Sequence, residues 1–382
     1  MRYVKRVLIN IAKICKSLLL YFYLILSRRT VWLVILGFLC FVYLIIALLS
    51  QKCHAKYEMP PYLLEDAKCD DELMAMPFFL NGTRLGFGRR FGCSLLPDLS
   101  RFHLLVGQMN VTPRAFKDSE VVFVTYASSN HLGETRLSIQ ALRESGFQNK
   151  IVFYDLGIAN SARRELSSVC NLEVRTFNFS AYPSFVKNLH TYTFKALIIA
   201  EMFQELDAFW FFDASVRFVD RKGMGQFLDR VRNGHTESYV LRMPARHSIY
   251  ASTDSGMYAY FPIDRKSYKS FEMLESGTTF VWKTEFSRDA IKWFVLCTLT
   301  EDCITPPGSK HYCNYDRGRF DVYLDCHRYD QSAINLILNN LLEQRRQPRA
   351  RRAEGFSFVN VKRWKNSYSG LDLPCKSEDQ IN

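Results

Sequence analysis

Residues 209–218 read FWFFDASVRF: an aromatic block, then Asp213-Ala214-Ser215, then the alternating Val216-Arg217-Phe218. A run from Ala208 to Phe212 with no polar residue predicts a strand buried on both faces, the kind found inside a parallel sheet covered by helices. The upstream pattern agrees. Val121 to Thr125, Ile151 to Tyr154 and Leu172 to Phe177 read as further strands. Helical stretches lie between them at about 132–145, 161–169 and Thr193 to Leu206. In such α/β sheets ligands bind beyond the carboxyl ends of the strands, so Thr125 to His131, Asp155 to Gly157 and Asp213 to Ser215 should emerge on one edge.

Downstream the pattern is less regular. Strands are predicted at Tyr239 to Met243 and Thr278 to Lys283, with helices at Ser287 to Cys297 and Gln331 to Leu342 and a cysteine-rich loop ending at Cys326. The basic run from Arg345 to Arg352 reads as a solvated loop, and Thr253 to Tyr258 as turn chemistry.

The chain of 382 residues is 48% hydrophobic and carries a formal charge of +12. Residues 1–29 contain seven basic residues and no acid, so the remaining 43 basic and 38 acidic residues are nearly balanced. That distribution predicts no nucleic-acid partner. Val31 to Leu49 is an uncharged apolar run of membrane-spanning length with a basic N-terminal flank, which predicts one span with the N-terminus cytoplasmic. A cleaved signal peptide is the competing reading, but the run starts late and has no small-x-small site just downstream. Val7 to Leu26, interrupted by Asn10, Lys13 and Lys16, fits an interfacial helix. The expected organisation is a basic tail at 1–30, an anchor at 31–49, a stem at 50–119 and one lumenal domain at 120–382.

A lumenal domain agrees with sequons at Asn81, Asn110 and Asn178, the second weakened by Pro113, and with nine cysteines beyond the span. Nine is odd, so at least one is expected to be free or intermolecular. No Cys-x-x-Cys pair, P-loop, Gly-x-Ser-x-Gly elbow or Gly-x-Gly-x-x-Gly occurs. Structural zinc, NTPase, serine-hydrolase and dinucleotide chemistry are therefore not expected.

An acid ending a buried strand can order a cation or a ribose hydroxyl, or simply solvate the strand end. Four motifs stand in order around Asp213: Tyr192-Thr193-Phe194-Lys195, Asp213-Ala214-Ser215-Val216-Arg217-Phe218, Glu275-Ser276-Gly277-Thr278, and Asp330-Gln331-Ser332-Ala333-Ile334-Asn335. Together they resemble the retaining glycosyltransferases of the glycogenin-like, galactosyltransferase-like type, with the nucleotide-sugar fold called GT-A, over roughly residues 120–345. They also resemble animal membrane proteins with glycosyltransferase-like domains.

The resemblance implies a GT-A-like (Rossmann-like) α/β domain that moves a sugar from a nucleotide-sugar donor to a glycan or glycoprotein acceptor, as a type II protein of the Golgi membrane. It implies Lys195 near the diphosphate, Asp213 toward ribose or metal, and Asp330 and Gln331 near sugar and acceptor. Thr125, Ser215, Arg217, Gly277 and Arg328 complete the expected donor contacts. Asp330 also reads as a helix N-cap.

The departures are specific. Ser215 stands where the family has a second acid, and no histidine follows His327, so two of three expected ligands for Mn or Mg are missing. Weak or absent metal dependence is therefore expected. Lys195, Arg217, Arg246 with His247, or His327 with Arg328 would then neutralise the diphosphate. The dense cluster from His327 to Gln331, with His327 as a catalytic candidate, is expected to line the donor and acceptor pocket. The rival reading is a catalytically silent fold that binds glycans or partners.

Overall fold

In the computed structural model, the described residues are 69–80, 82–345 and 358–363. The expected tail, interfacial helix and anchor, Asn81 and the basic run after Arg345 lie outside them. Among the described residues no helix is long and apolar enough to cross a membrane.

The elements follow in chain order: α1 (Asp71–Met74), β1 (Pro77–Leu80), β2 (Thr83–Phe87), α2 (Leu96–Arg101), β3 (Val122–Ala127), α3 (Leu132–Glu144), β4 (Ile151–Asp155), α4 (Asn160–Ser167), β5 (Leu172–Thr176), α5 (Phe194–Glu205), β6 (Ala208–Phe212) and β7 (Val216–Phe218). After them come α6 (Arg221–Arg232), β8 (Tyr239–Ser248), β9 (Glu272–Trp282), α7 (Glu285–Thr298), α8 (Glu301–Ile304), α9 (Tyr329–Gln344) and β10 (Val359–Val361).

Six strands form the main sheet in the order β5-β4-β3-β6-β9-β8. The first four are mutually parallel, and β9 and β8 add antiparallel strands beyond β6. The fold is mixed α/β with the parallel half expected from sequence. The antiparallel half is longer than expected: β8 runs to Ser248 and β9 begins at Glu272. Register shifts after Leu241 and after Pro244 break the side-chain alternation that a period-2 reading depends on.

The aromatic run follows from two-sided burial. Phe209 and Phe211 belong to the core on one face of the sheet, with residues of α5, α7 and α9. Ala208, Trp210 and Phe212 belong to the core on the other face, with residues of α3, α4 and α6. All four aromatics are fully buried, at about 1.5–3 kcal/mol each relative to exposure. A polar residue anywhere in this strand would face one core or the other.

The described part of the expected stem is not separate from the domain. Met74, Met76, Phe91, Leu99, Phe102 and Val111 enter the same core as α5 and α7, and Phe116 packs with the opposite core. Its apolar residues are too widely spaced to show a period, so only their packing reveals the role. Disulfides join Cys69 to Cys93, Cys297 to Cys303 and Cys313 to Cys326, and Cys170 is also disulfide-bonded. Asn110 and Asn178 are both exposed.

Candidate active-site cleft

The parallel pairing of β3 with β6 ends at Val124 opposite Phe211. β4 lies on one side of β3 and β6 on the other, so the strand order reverses here and a crevice opens beyond the strand ends. The Thr125 hydroxyl donates to the Phe212 carbonyl at 2.9 Å, and the Asp213 amide donates to the Gly277 carbonyl at 2.9 Å. These bonds fix where Asp213 leaves the sheet. The cleft has a volume of ≈ 770 Å³. Its walls come from the β3–α3 loop, the start of α5, the Asp213 turn, β9, the start of α9 and the end of β10.

Lys195 is the charge at its floor. It sits in the first turn of α5, a helix buried on nearly every side, and its side chain is only 4% exposed. Its ammonium lies 3.0 Å from the Asp213 carboxylate and 3.2 Å from Asp330 Oδ2. Burial works against that charge, but the two carboxylates outweigh it and hold the Lys195 pKa above the ordinary lysine value. The Tyr126 hydroxyl donates to Asp213 Oδ1 at 2.5 Å, and the Ser276 hydroxyl donates to Asp330 Oδ2. Burial, and next the Asp213 charge, raise the Tyr126 pKa well above that of a free phenol, so Tyr126 is a fixed donor.

Asp330 is inside the first turn of α9 and not at its N-cap, which is Arg328. It gains from the helix dipole while its side chain reaches Lys195. Gly277 is needed beside this group: a Cβ there would stand 3.0 Å from Asp213 Oδ2.

The rim is basic and aromatic. Arg328, Arg363, His190 and His311 all line the cleft. Burial, and next the Arg328 charge, lower the His311 pKa, which favours the neutral ring. The His311 ring stacks on Tyr329 at 5.5 Å and lies 6.1 Å from Tyr192. Tyr192 and Tyr329 have φ of 57° and 38°, left-handed conformations that cost a non-glycine residue about 1–3 kcal/mol. Each precedes a member of the ion cluster, Lys195 and Asp330. Gln331 lines the cleft with a buried amide nitrogen that has no hydrogen-bond partner. That nitrogen is a buried donor whose hydrogen bond is unmet among the described residues.

Seven predicted residues therefore meet here: Lys195, Asp213, Ser215, Gly277, Arg328, Asp330 and Gln331. Three do not line the cleft. Thr125 is fully buried and ties β3 to β6. Arg217 is spent on the carbonyls of Ala214, Val216 and Glu134. His327 is fully buried: its Nδ1 accepts from the Asp254 amide at 3.1 Å, and its Nε2 lies 3.2 Å from the Ile304 carbonyl. Burial pushes its pKa down to about 4, so it is a neutral cross-link between loops. His247 is likewise buried, bonded to Ser252 and lowered to about 4, and Arg246 is outside the cleft.

Tyr126, Glu275, Ser276, His311 and Arg363 were assigned no role from sequence. Tyr126 follows a predicted strand end, where a tyrosine reads as core. Arg363 reaches the cleft because β10 pairs antiparallel with β7 across a sequence gap that no local pattern bridges.

The donor set at Asp213 does not fit a divalent cation. The Lys195 ammonium already stands on the Asp213 and Asp330 carboxylates, Ser215 is a poor ligand, and among the described residues no three His, Cys, Asp or Glu side chains converge on a metal position.

Residues 81–200 match the family described as a protein of unknown function (DUF1647). The match takes in Tyr126 and Lys195 and stops before Asp213. No curated protein matches the chain. Among solved structures, the chain is similar to the galactosyltransferase LgtC in complex with donor and acceptor sugar analogues. That similarity is at 13% identity and TM-score 0.33, over 58% of this chain and 70% of that one. An active-site mutant of LgtC is similar at 14% identity and TM-score 0.28, over 44% and 59%.

Proposed function

We propose that the chain is a glycosyltransferase with a GT-A-like domain that uses a nucleotide-sugar donor and a glycan or glycoprotein acceptor. In this reading it is anchored by residues 31–49 with the domain in the Golgi lumen. The supporting observation is the Lys195 ammonium held between Asp213 and Asp330 at the floor of a cleft, at the switch point of a parallel sheet. Departure of a nucleoside diphosphate concentrates negative charge on the leaving oxygens, and a fixed cation beside them lowers the barrier. Arg328 and Arg363 supply that charge at the rim, and Lys195, paired with Asp213 and Asp330, fixes the floor. No step is assigned to a divalent ion.

Thermal unfolding of the full-length protein with a panel of nucleoside diphosphates and nucleotide-sugars tests this reading. A donor that binds only the folded state raises Tm in proportion to the logarithm of its concentration. The reading expects such a rise for one nucleotide class and its loss in Arg328→Ala. Ser215 favours the rival, a binding fold without turnover, which would show the same rise and no sugar release. No rise with any nucleotide contradicts both.

A further inference from the structure

His311 and Arg328 stand together at the rim of the cleft because one covalent link sets their spacing. The Cys313–Cys326 disulfide closes a loop, and His311 lies two residues before it and Arg328 two residues after it. Outside the disulfide the His327 amide donates to the Lys310 carbonyl at 2.7 Å, so the two chain segments run side by side. The His311 ring is stacked on Tyr329 at 5.5 Å and lies 6.1 Å from Tyr192. Neither ring nitrogen has a hydrogen bond among the described residues. The ring is held by its faces, and its charge is set by what stands around it.

Those surroundings oppose a proton while the cleft is empty. Burial disfavours the imidazolium most, and the Arg328 charge next. Asp330, on α9, favours it, and His190, from the segment before α5, opposes it. The Asp330 carboxylate is already shared with Lys195, and Lys310, beside His311 in the chain, is paired with Asp325 at 2.6 Å. A phosphate group seated at Arg328 reverses this balance. It neutralises the cation that repels the imidazolium and adds an anion that attracts it. The two tyrosine rings also favour a charged ring between them, so the side chain keeps its place in either state.

We propose that His311 is a proton-linked contact for the donor: neutral in the empty cleft, it takes up a proton when the diphosphate of a nucleotide-sugar is seated beside Arg328. The inference rests on the glycosyltransferase reading and adds control of that site by pH. Both phosphates of a nucleotide-sugar are esterified and stay ionised across the neutral range, so the proton passes from solvent to a ring nitrogen and none leaves the ligand. The free ring titrates below the ordinary histidine value and the ring of the complex above it. Between those two values each donor bound takes up a proton, so affinity rises as pH falls through that window and levels off on either side of it. The donor is gripped in an acidic compartment and released as pH rises.

The test is calorimetric titration of the full-length protein with a panel of nucleotide-sugars from about pH 5.5 to about pH 8, in two buffers of different ionisation enthalpy. The expected result is net proton uptake and an affinity that rises by about three- to tenfold per pH unit as pH falls. His311→Gln should abolish both and bind within about threefold of wild type at the alkaline end, where the ring is neutral. His190 and Glu275 line the same cleft, and His190→Gln and Glu275→Gln should each keep the slope. The wild-type ring resonance of His311, assigned through its contact with Tyr329, gives a reading that depends on no variant: its titration should move up when donor is added. A flat wild-type affinity, a resonance that donor does not move, a slope that persists in His311→Gln or one that is lost in His190→Gln or Glu275→Gln overturns this proposal and leaves the glycosyltransferase reading standing. Binding of no nucleotide-sugar at any pH overturns both.

Discussion

Replacing Lys195 with Met keeps the bulk of the side chain and removes the ammonium, leaving two carboxylates that each lay about 3 Å from it. Those carboxylates are then within about 6 Å of each other. At an effective dielectric near 20 their repulsion is about 3 kcal/mol. Breaking a buried ion pair by removing one partner costs about 3–5 kcal/mol. Asp213 is 27% exposed and partly screened by water, which favours the low end of that range.

The expected loss is therefore about 3 kcal/mol at pH 7, a fall in Tm of about 4–5 °C for a folded part of roughly 300 residues. The pH dependence has a sign. Lys195 has a raised pKa, so its contribution is complete below the ordinary lysine value and is lost only as pH rises through the higher folded value. Between pH 5 and 8 the wild type gains or loses nothing from it. The variant binds an extra proton on folding to relieve the repulsion, so its deficit should narrow as the pH falls.

Adding Asp330→Asn to the variant removes one of the two charges and should recover much of the loss. Thermal unfolding of the four proteins in the cycle at pH 5 and pH 7 measures this. A single variant within 1 kcal/mol of wild type, or a double variant no more stable than the single, would refute the electrostatic account of the cluster.

Further outcomes follow from the same geometry. Gln331→Leu removes a buried donor without a partner among the described residues, so it should leave stability unchanged or slightly raised, measured by thermal unfolding. Gly277→Ala pushes on Asp213 Oδ2 and should cost about 1–3 kcal/mol, with a larger fall in turnover than Ala substitution at an exposed cleft residue. His327 has its folded pKa lowered to about 4 from an ordinary 6.5, so its stabilising effect is full above 6.5 and is lost as pH falls toward 4, by up to about 3 kcal/mol. Denaturation of His327→Gln between pH 7 and 4.5 should show a flatter pH dependence than wild type. Cys313→Ser with Cys326→Ser opens a loop of 13 residues. It should cost about 3 kcal/mol by unfolding and lower donor affinity through Arg328.

The parallel half of the sheet was legible because each strand is a short apolar run, closed by a turn and answered by a helix. Ala208 to Phe212 was read to the residue. Lys195, Asp213 and Asp330 were legible as separate positions, but their convergence on one ammonium was not, because it depends on α5 and α9 meeting beneath the β6 edge. Lys195 is the one cation in a largely apolar helix, and that helix's burial is what demands its partners. His327 misled because a polar cluster beside a cysteine looks alike whether it faces a cleft or pins two loops, and only burial separates the cases.

The most direct test of the central claim is sugar transfer by the full-length protein across a panel of nucleotide-sugars, with Mn²⁺ and with EDTA, for wild type and Lys195→Met. The account predicts turnover of one donor class that persists in EDTA and falls by about 10²–10³-fold in the variant. Turnover abolished by EDTA, undiminished in Lys195→Met, or absent with every donor would contradict it.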